Sequence, residues 1–83
     1  MTTTQETIRR TLAPLAIAPL PDDEDASLFE LGVIDSFGLM DAVARLEEAF
    51  GVRVPDSDLN PRRFETIAKI ERYFDSRRVA APR

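Results

Sequence analysis

The stretch from Ser36 to Gly51 constrains this chain more than any other. Leu39, Val43, Leu46 and Phe50 recur at i, i+4, i+7 and i+11, the spacing that lays one apolar stripe along a helix. Asp41, Ala44, Arg45 and Glu48 face away from that stripe. Gly51 follows the last apolar residue, and a glycine there ends a helix because it takes positive φ without a Cβ penalty. A helix is therefore predicted over Ser36–Phe50, and its stripe needs other helices to cover it. Gly38 is its weak point, about 1 kcal/mol poorer than alanine inside a helix.

The rest of the chain supplies those helices. Thr3-x-x-Glu6 reads as a capping box, and Ile8, Leu12 and Leu15 share one face behind it. Pro14 ends that first helix near Ala13 or kinks it. A long acidic loop follows, from about Ala18 to Asp35. Loops of this length without structure of their own are uncommon unless functional, and Leu28, Phe29, Leu31, Val33 and Ile34 predict that this one packs across the core. Val52-Arg53-Val54-Pro55 is a short extended link with no strand partner, followed by a turn over Asp56–Leu59. Asn60-Pro61 is a helix start, with Asn as cap and Pro in the first position, and predicts a short helix near Pro61–Phe64. Thr66 caps a last helix to about Ser76, with Ile67, Ile70 and Phe74 inward. The expected fold is all-α: a small four-helix bundle of three main helices plus one short one, with a long loop between helices 1 and 2. One domain of residues 1–83 is expected, its core about 5–76, with Met1–Thr3 and residues 77–83 frayed.

Composition removes most chemistry. The 83 residues contain no cysteine and no histidine, which excludes a disulfide framework, a Cys/His metal site and a Ser-His or Cys-His nucleophile pair. Nothing marks a carboxylate pair in a substrate cavity, so no enzyme is expected. No apolar run approaches the roughly 18 residues of a membrane span, and the N-terminus lacks the pattern of a signal peptide, so the expected location is cytoplasmic. Residues 22–58 hold eleven acids against two bases, a net −9, whereas the remainder carries nine bases against four acids, +5. An acidic middle repels nucleic acid and attracts basic protein surfaces. The plainer alternative is a solvated, solubilising face.

Ser36 stands apart from Ser27, Ser57 and Ser76 because it opens the central helix. A hydroxyl there meets free N–H groups and the positive end of the helix dipole, which suits a phosphodiester. Asp-Ser before an apolar run is also an ordinary N-cap. The surrounding run, Leu28-Phe29-Glu30-Leu31-Gly32-Val33-Ile34-Asp35-Ser36-Phe37, resembles the phosphopantetheine attachment motif of acyl and peptidyl carrier proteins. Leu46-Glu47-Glu48-Ala49-Phe50-Gly51-Val52-Arg53-Val54-Pro55 is similar to the end of their second helix and the link after it, and Thr66-Ile67-Ala68-Lys69-Ile70 to the start of their last. Three blocks in order span about residues 5–76.

The resemblance implies an acyl carrier protein-like fold and a covalent cofactor, 4′-phosphopantetheine on Ser36, whose thiol holds acyl or aminoacyl cargo as a thioester. The reactive sulfur would then arrive with the cofactor. It implies as partners a phosphopantetheinyl transferase, an adenylate-forming acyl or aminoacyl ligase and downstream acyl-processing or condensing enzymes, all meeting a monomer. Asp35 is the acid expected to help the transferase bind, through its metal. Asp41, Glu47 and Glu48 belong to an acidic face read by partner enzymes, or are solvated helix residues. Phe37, Met40 and Ala44 lie near the arm's exit; partner contact is open to them, though Phe37 and Met40 are of a kind more often found in a core. Phe64 and Ile67 are read as core rather than as neighbours of the arm. Many fatty-acid carriers have Asp-Ser-Leu followed by an acid and one residue fewer between the glycine and the aspartate. Here Phe37 and Gly38 stand in those places, and the Gly-x-x-Asp-Ser-Phe form is closer to D-alanyl carriers and other small carriers served by adenylate-forming ligases. Gly38 either admits a partner backbone or the arm, or is merely tolerated. The rival reading is a helical interaction domain of the same fold without a prosthetic group.

Overall fold

Three α-helices carry the core: α1 over Thr4–Leu12, α2 over Ser36–Phe50 and α3 over Ile67–Ala80. The structure is a computed structural model that describes residues 3–80, and among these there is no strand. The start of α1 is the predicted one. Thr3 Oγ1 accepts from the Glu6 amide at 3.1 Å and also donates to the Glu6 carboxylate at 3.3 Å. Thr3 is thus an ordered cap, not part of a frayed end; Met1 and Thr2 lie outside the described residues. Pro14 neither kinks α1 nor extends it. The helix stops at Leu12 and tightens into a 3-10 turn over Ala13–Leu15 with the proline in its first positions, where its missing N–H costs nothing.

From Ala16 to Asp35 the chain runs in turns and bends, pinned at several points. Arg9 donates to the carbonyls of Pro21 and Asp22. Leu28 donates its amide to Glu65 at 2.8 Å, and Ala68 donates to Glu24 at 2.9 Å, which satisfies one of the N–H groups that the first turn of α3 leaves open. Leu28, Val33 and Ile34 are buried, but Leu31 is 51% exposed, so this segment packs on the core only in part.

The short helix expected at Pro61–Phe64 is a 3-10 turn, with the Asn60 side chain accepting from the Arg62 amide. A second 3-10 turn spans Asp56–Asp58. The core joins Ile8 and Leu12 of α1, Leu39, Val43 and Leu46 of α2, Ile67, Ile70 and Phe74 of α3, and Phe64 from the turn. Phe50 closes its lower end by stacking on Phe74 with ring centroids 4.9 Å apart. No buried side-chain nitrogen or oxygen among the described residues lacks a hydrogen-bond partner.

Thr66 caps α3 as expected, accepting from the Lys69 amide at 3.1 Å. The helix then runs to Ala80, beyond the expected end at Ser76, so Arg77 is helical rather than frayed; residues 81–83 lie outside the described residues. A tertiary contact explains the extension. The Tyr73 hydroxyl donates to Asp58 at 2.7 Å, and the Arg77 guanidinium pairs with the same carboxylate while lying 5.3 Å over the Tyr73 ring. These two donors, the phenol first, hold the Asp58 carboxyl below its ordinary value of 3.8.

Candidate functional site

The start of α2 is held by a turn. Val33 and Ile34 both donate their amides to the Leu28 carbonyl, at 2.9 and 3.3 Å, and Gly32 makes the reversal at φ 71°, a left-handed conformation that glycine adopts without steric cost. Val33 and Ile34 are buried, so the chain is anchored immediately before Asp35 and Ser36 emerge.

Asp35 is the N-cap. Its backbone is extended, and its Oδ1 accepts from the Gly38 amide at 2.7 Å. Ser36 is the first residue of the helix and is exposed. Among the described residues its hydroxyl makes no hydrogen bond, and the amides of Ser36 and Phe37 have no acceptor. The two readings of Asp35-Ser36 therefore separate: capping falls to Asp35, and the serine hydroxyl is left facing solvent. An exposed oxygen beside two unclaimed N–H groups at the positive end of a 15-residue helix fits a phosphate-linked group. Gly38 has a use here as well. A Cβ at that position would lie 3.3 Å from Asp35 Oδ1 and 3.5 Å from Ile34 Cγ2, so the bare glycine leaves the capping carboxylate room.

Beyond Ser36 the outer face of α2 is mixed. Phe37 is 88% exposed and Met40 58%, which corrects their reading as core. The reason is angular: at 100° per residue, Phe37 lies about 200° round the helix from Leu39 and so opposite the buried stripe. Asp41, Ala44 and Glu48 are exposed as expected. They share with Arg10 and Arg45 a groove of ≈ 620 Å³ between α1 and α2, so that acidic face is diluted by two cations. Glu47 is drawn away from it. Its Oε2 accepts from the Val54 amide at 2.6 Å, holding the link after α2 against the helix. Met40, Ala44, Val54 and Leu59 line a second groove, of ≈ 510 Å³. Phe64 and Ile67 are fully buried.

Of two further exposed apolar residues, Ile17 escaped the sequence reading and Leu31 was expected to pack across the core. Ile17 is 71% exposed and Leu31 51%. Both lie outside the helices, where no periodicity reports orientation. Only a tertiary hydrogen bond, Ile17 N–H to the Val33 carbonyl at 3.0 Å, brings Ile17 beside the segment that leads to Ser36.

Residues 6–74 match the family described as phosphopantetheine attachment site. A D-alanyl carrier protein of Streptococcus uberis is 32% identical over 68 residues, covering 82% of this chain and 86% of the relative. One from Streptococcus pyogenes is 30% identical over 66 residues, 80% and 84% of the two chains. The fold also matches a chain in the crystal structure of an engineered Bradyrhizobium japonicum glycine:[carrier protein] ligase complexed with carrier protein from Agrobacterium tumefaciens and ATP. There the TM-score is 0.79 at 31% identity, over 89% of this chain and 99% of that one, so the two are of nearly equal length. Fold and matches together define a small all-helical protein of the carrier type. This chain belongs to the phosphopantetheine attachment family, and is a phosphopantetheine carrier protein. No helix among its described residues is long and apolar enough to cross a membrane.

Proposed function

We propose that Ser36 is the residue that bears 4′-phosphopantetheine, and that the chain works as a freestanding carrier, one domain over residues 1–83, in the cytoplasm. One observation carries the assignment: the Ser36 hydroxyl is exposed and uncommitted because Asp35 does the capping. On loading, Ser36 Oγ bonds to the pantetheine-side phosphorus of coenzyme A. The bond from that phosphorus to the bridging oxygen breaks, the adenosine bisphosphate half departs, and the hydroxyl proton passes to a base on the transferase. The arm, once attached, supplies a thiol for a thioester. The chain's own residues present the attachment point: the Leu28–Ile34 turn anchors it, Asp35 and Gly38 shape the first turn, and Glu47 holds the neighbouring link. The carrier itself catalyses nothing. The 3-10 turn at Pro61–Phe64 takes the place of the short helix in a four-helix carrier bundle.

The likeness to D-alanyl carrier proteins and to a carrier bound by a glycine:[carrier protein] ligase favours a small aminoacyl cargo loaded by an adenylate-forming ligase. Asp35, Phe37, Met40, Asp41, Ala44 and Glu48 are the residues that partners meet around Ser36; Glu47 serves the fold instead. The test is intact mass after incubation with coenzyme A, Mg²⁺ and a broad-specificity phosphopantetheinyl transferase. The parent gains one phosphopantetheine and Ser36→Ala none. A folded parent that gains nothing refutes the assignment and favours an interaction domain without a prosthetic group.

A further inference from the structure

The large apolar side chains that stay exposed among the described residues are Ile17, Leu31, Phe37 and Met40, and they are not scattered. Phe37 and Met40 lie in the first turns of α2 behind Ser36. Ile17 is bound through its amide to Val33, three residues before Ser36, which is at most roughly 11 Å of extended chain. Leu31 stands two residues before Val33, in the turn closed by Gly32. The apolar residues therefore come from two separate pieces of chain, the segment after α1 and the run into α2, that the fold joins at one end of the molecule. Exposed acids lie beside them in the chain: Glu30 before Leu31, Asp35 before Ser36 and Asp41 after Met40.

We infer that Ile17 and Leu31 extend the docking surface around Ser36 beyond α2, and that the phosphopantetheinyl transferase is what covers it. The inference rests on the assignment of Ser36. The transferase must bring its phosphorus to Ser36 Oγ itself, so its footprint is centred on that atom. Enzymes that act later work at the far end of a long arm and are freer in where they sit. A standard interface covers about 800 Å² on each partner, a disc of roughly 16 Å radius. Centred on Ser36, that disc reaches Ile17 as well as Phe37 and Met40. Such contacts combine buried apolar side chains with charged ones. The matching surface on the transferase is an apolar patch bordered by Arg and Lys, complementary to Glu30, Asp35 and Asp41.

Steady-state modification of Ile17→Asp and Leu31→Asp by the same broad-specificity transferase tests this, with Ala49→Ser at the far end of α2 as control. Ile17→Ser and Leu31→Ser serve if circular dichroism shows either aspartate variant unfolded. The expected result is a rise of about tenfold in KM for the carrier, the size of one lost apolar anchor, with kcat within about twofold of the parent and the control unchanged. An unchanged KM in a parent that is modified normally overturns the inference and leaves the Ser36 assignment standing. A fall in kcat alone also overturns it, since the two residues then act on the placement of Ser36 and not on docking. A parent that is never modified removes the assignment itself.

Discussion

Replacing Asp35 separates the two duties that meet at the start of α2. In the structure its Oδ1 accepts from the Gly38 amide at 2.7 Å and its backbone is extended, the geometry of a working cap. Asp35→Ala removes the hydrogen bond, worth about 1 kcal/mol, and the negative charge at the positive end of the helix, worth about 0.3–1 kcal/mol at low salt. The loss is therefore about 1.5 kcal/mol. Asp35→Asn keeps an acceptor and loses only the charge, about 0.5 kcal/mol. For a domain of this size each kcal/mol moves Tm by about 4–8 °C, so the expected falls are about 6–12 °C for alanine and about 2–4 °C for asparagine. Ser36→Ala should leave Tm within about 2 °C of the parent, because the serine does not cap. At roughly 0.05–0.15 kcal/mol per residue the parent has enough stability for all three variants to remain folded at 25 °C, so modification can be followed on intact protein. Thermal unfolding by circular dichroism in low salt reads the first set of numbers. A Tm for Asp35→Ala equal to the parent's, or a Ser36→Ala variant that loses as much as Asp35→Ala, would falsify the division of labour. If Asp35→Asn then keeps its stability but is modified slowly, the carboxylate charge also serves the transferase.

Other outcomes follow from single contacts. Glu47→Ala should cost about 1–3 kcal/mol by leaving the amide of the buried Val54 without its charged acceptor. Amide exchange at Val54, slow in the parent and fast in the variant, checks this. Phe74→Ala empties a fully buried site that touches Phe50 and Phe64 and should cost about 3–5 kcal/mol in urea unfolding; a loss under about 1 kcal/mol contradicts the packing described. The Asp58 carboxyl is held down by the Tyr73 hydroxyl and by Arg77. Its contribution is complete above the ordinary value of 3.8 and disappears as pH falls through the lowered one. Tyr73→Phe should raise that value toward the ordinary one in a carboxyl NMR titration. A parent Asp58 that titrates at or above 3.8 would show that the clamp does not form in solution.

Several elements were legible because their causes are local. The bounds of α2, Ser36 to Phe50, follow from a 3.6-residue apolar period and a terminal glycine. Thr3, Asn60 and Thr66 cap where the sequence places them, since each cap reaches only two or three residues ahead. Ser36 as the candidate attachment point was also legible, from its place before that helix and the motif around it. The exposure of Phe37 was available too, from its angle to Leu39, but residue type argued for the core. For Met40 the period is less decisive, because it sits only about 60° from Val43 on the wheel.

What the sequence by itself determined is the set of helices, their starts and the serine that opens the middle one, because capping and periodicity act over one or two turns. Only the tertiary structure decided which of Asp35 and Ser36 caps and whether α3 continues past Ser76. It alone turned Glu47 toward Val54 and brought Ile17 beside Val33. The continuation of α3 and the placing of Ile17 depend on partners sixteen or more residues away in the chain: Arg77 with Asp58, Ile17 with Val33. The other two turn on the rotamers of Asp35 and Glu47, each aimed at one amide. Such choices are made by the packed core, which brings distant groups within hydrogen-bond reach only after the helices have assembled.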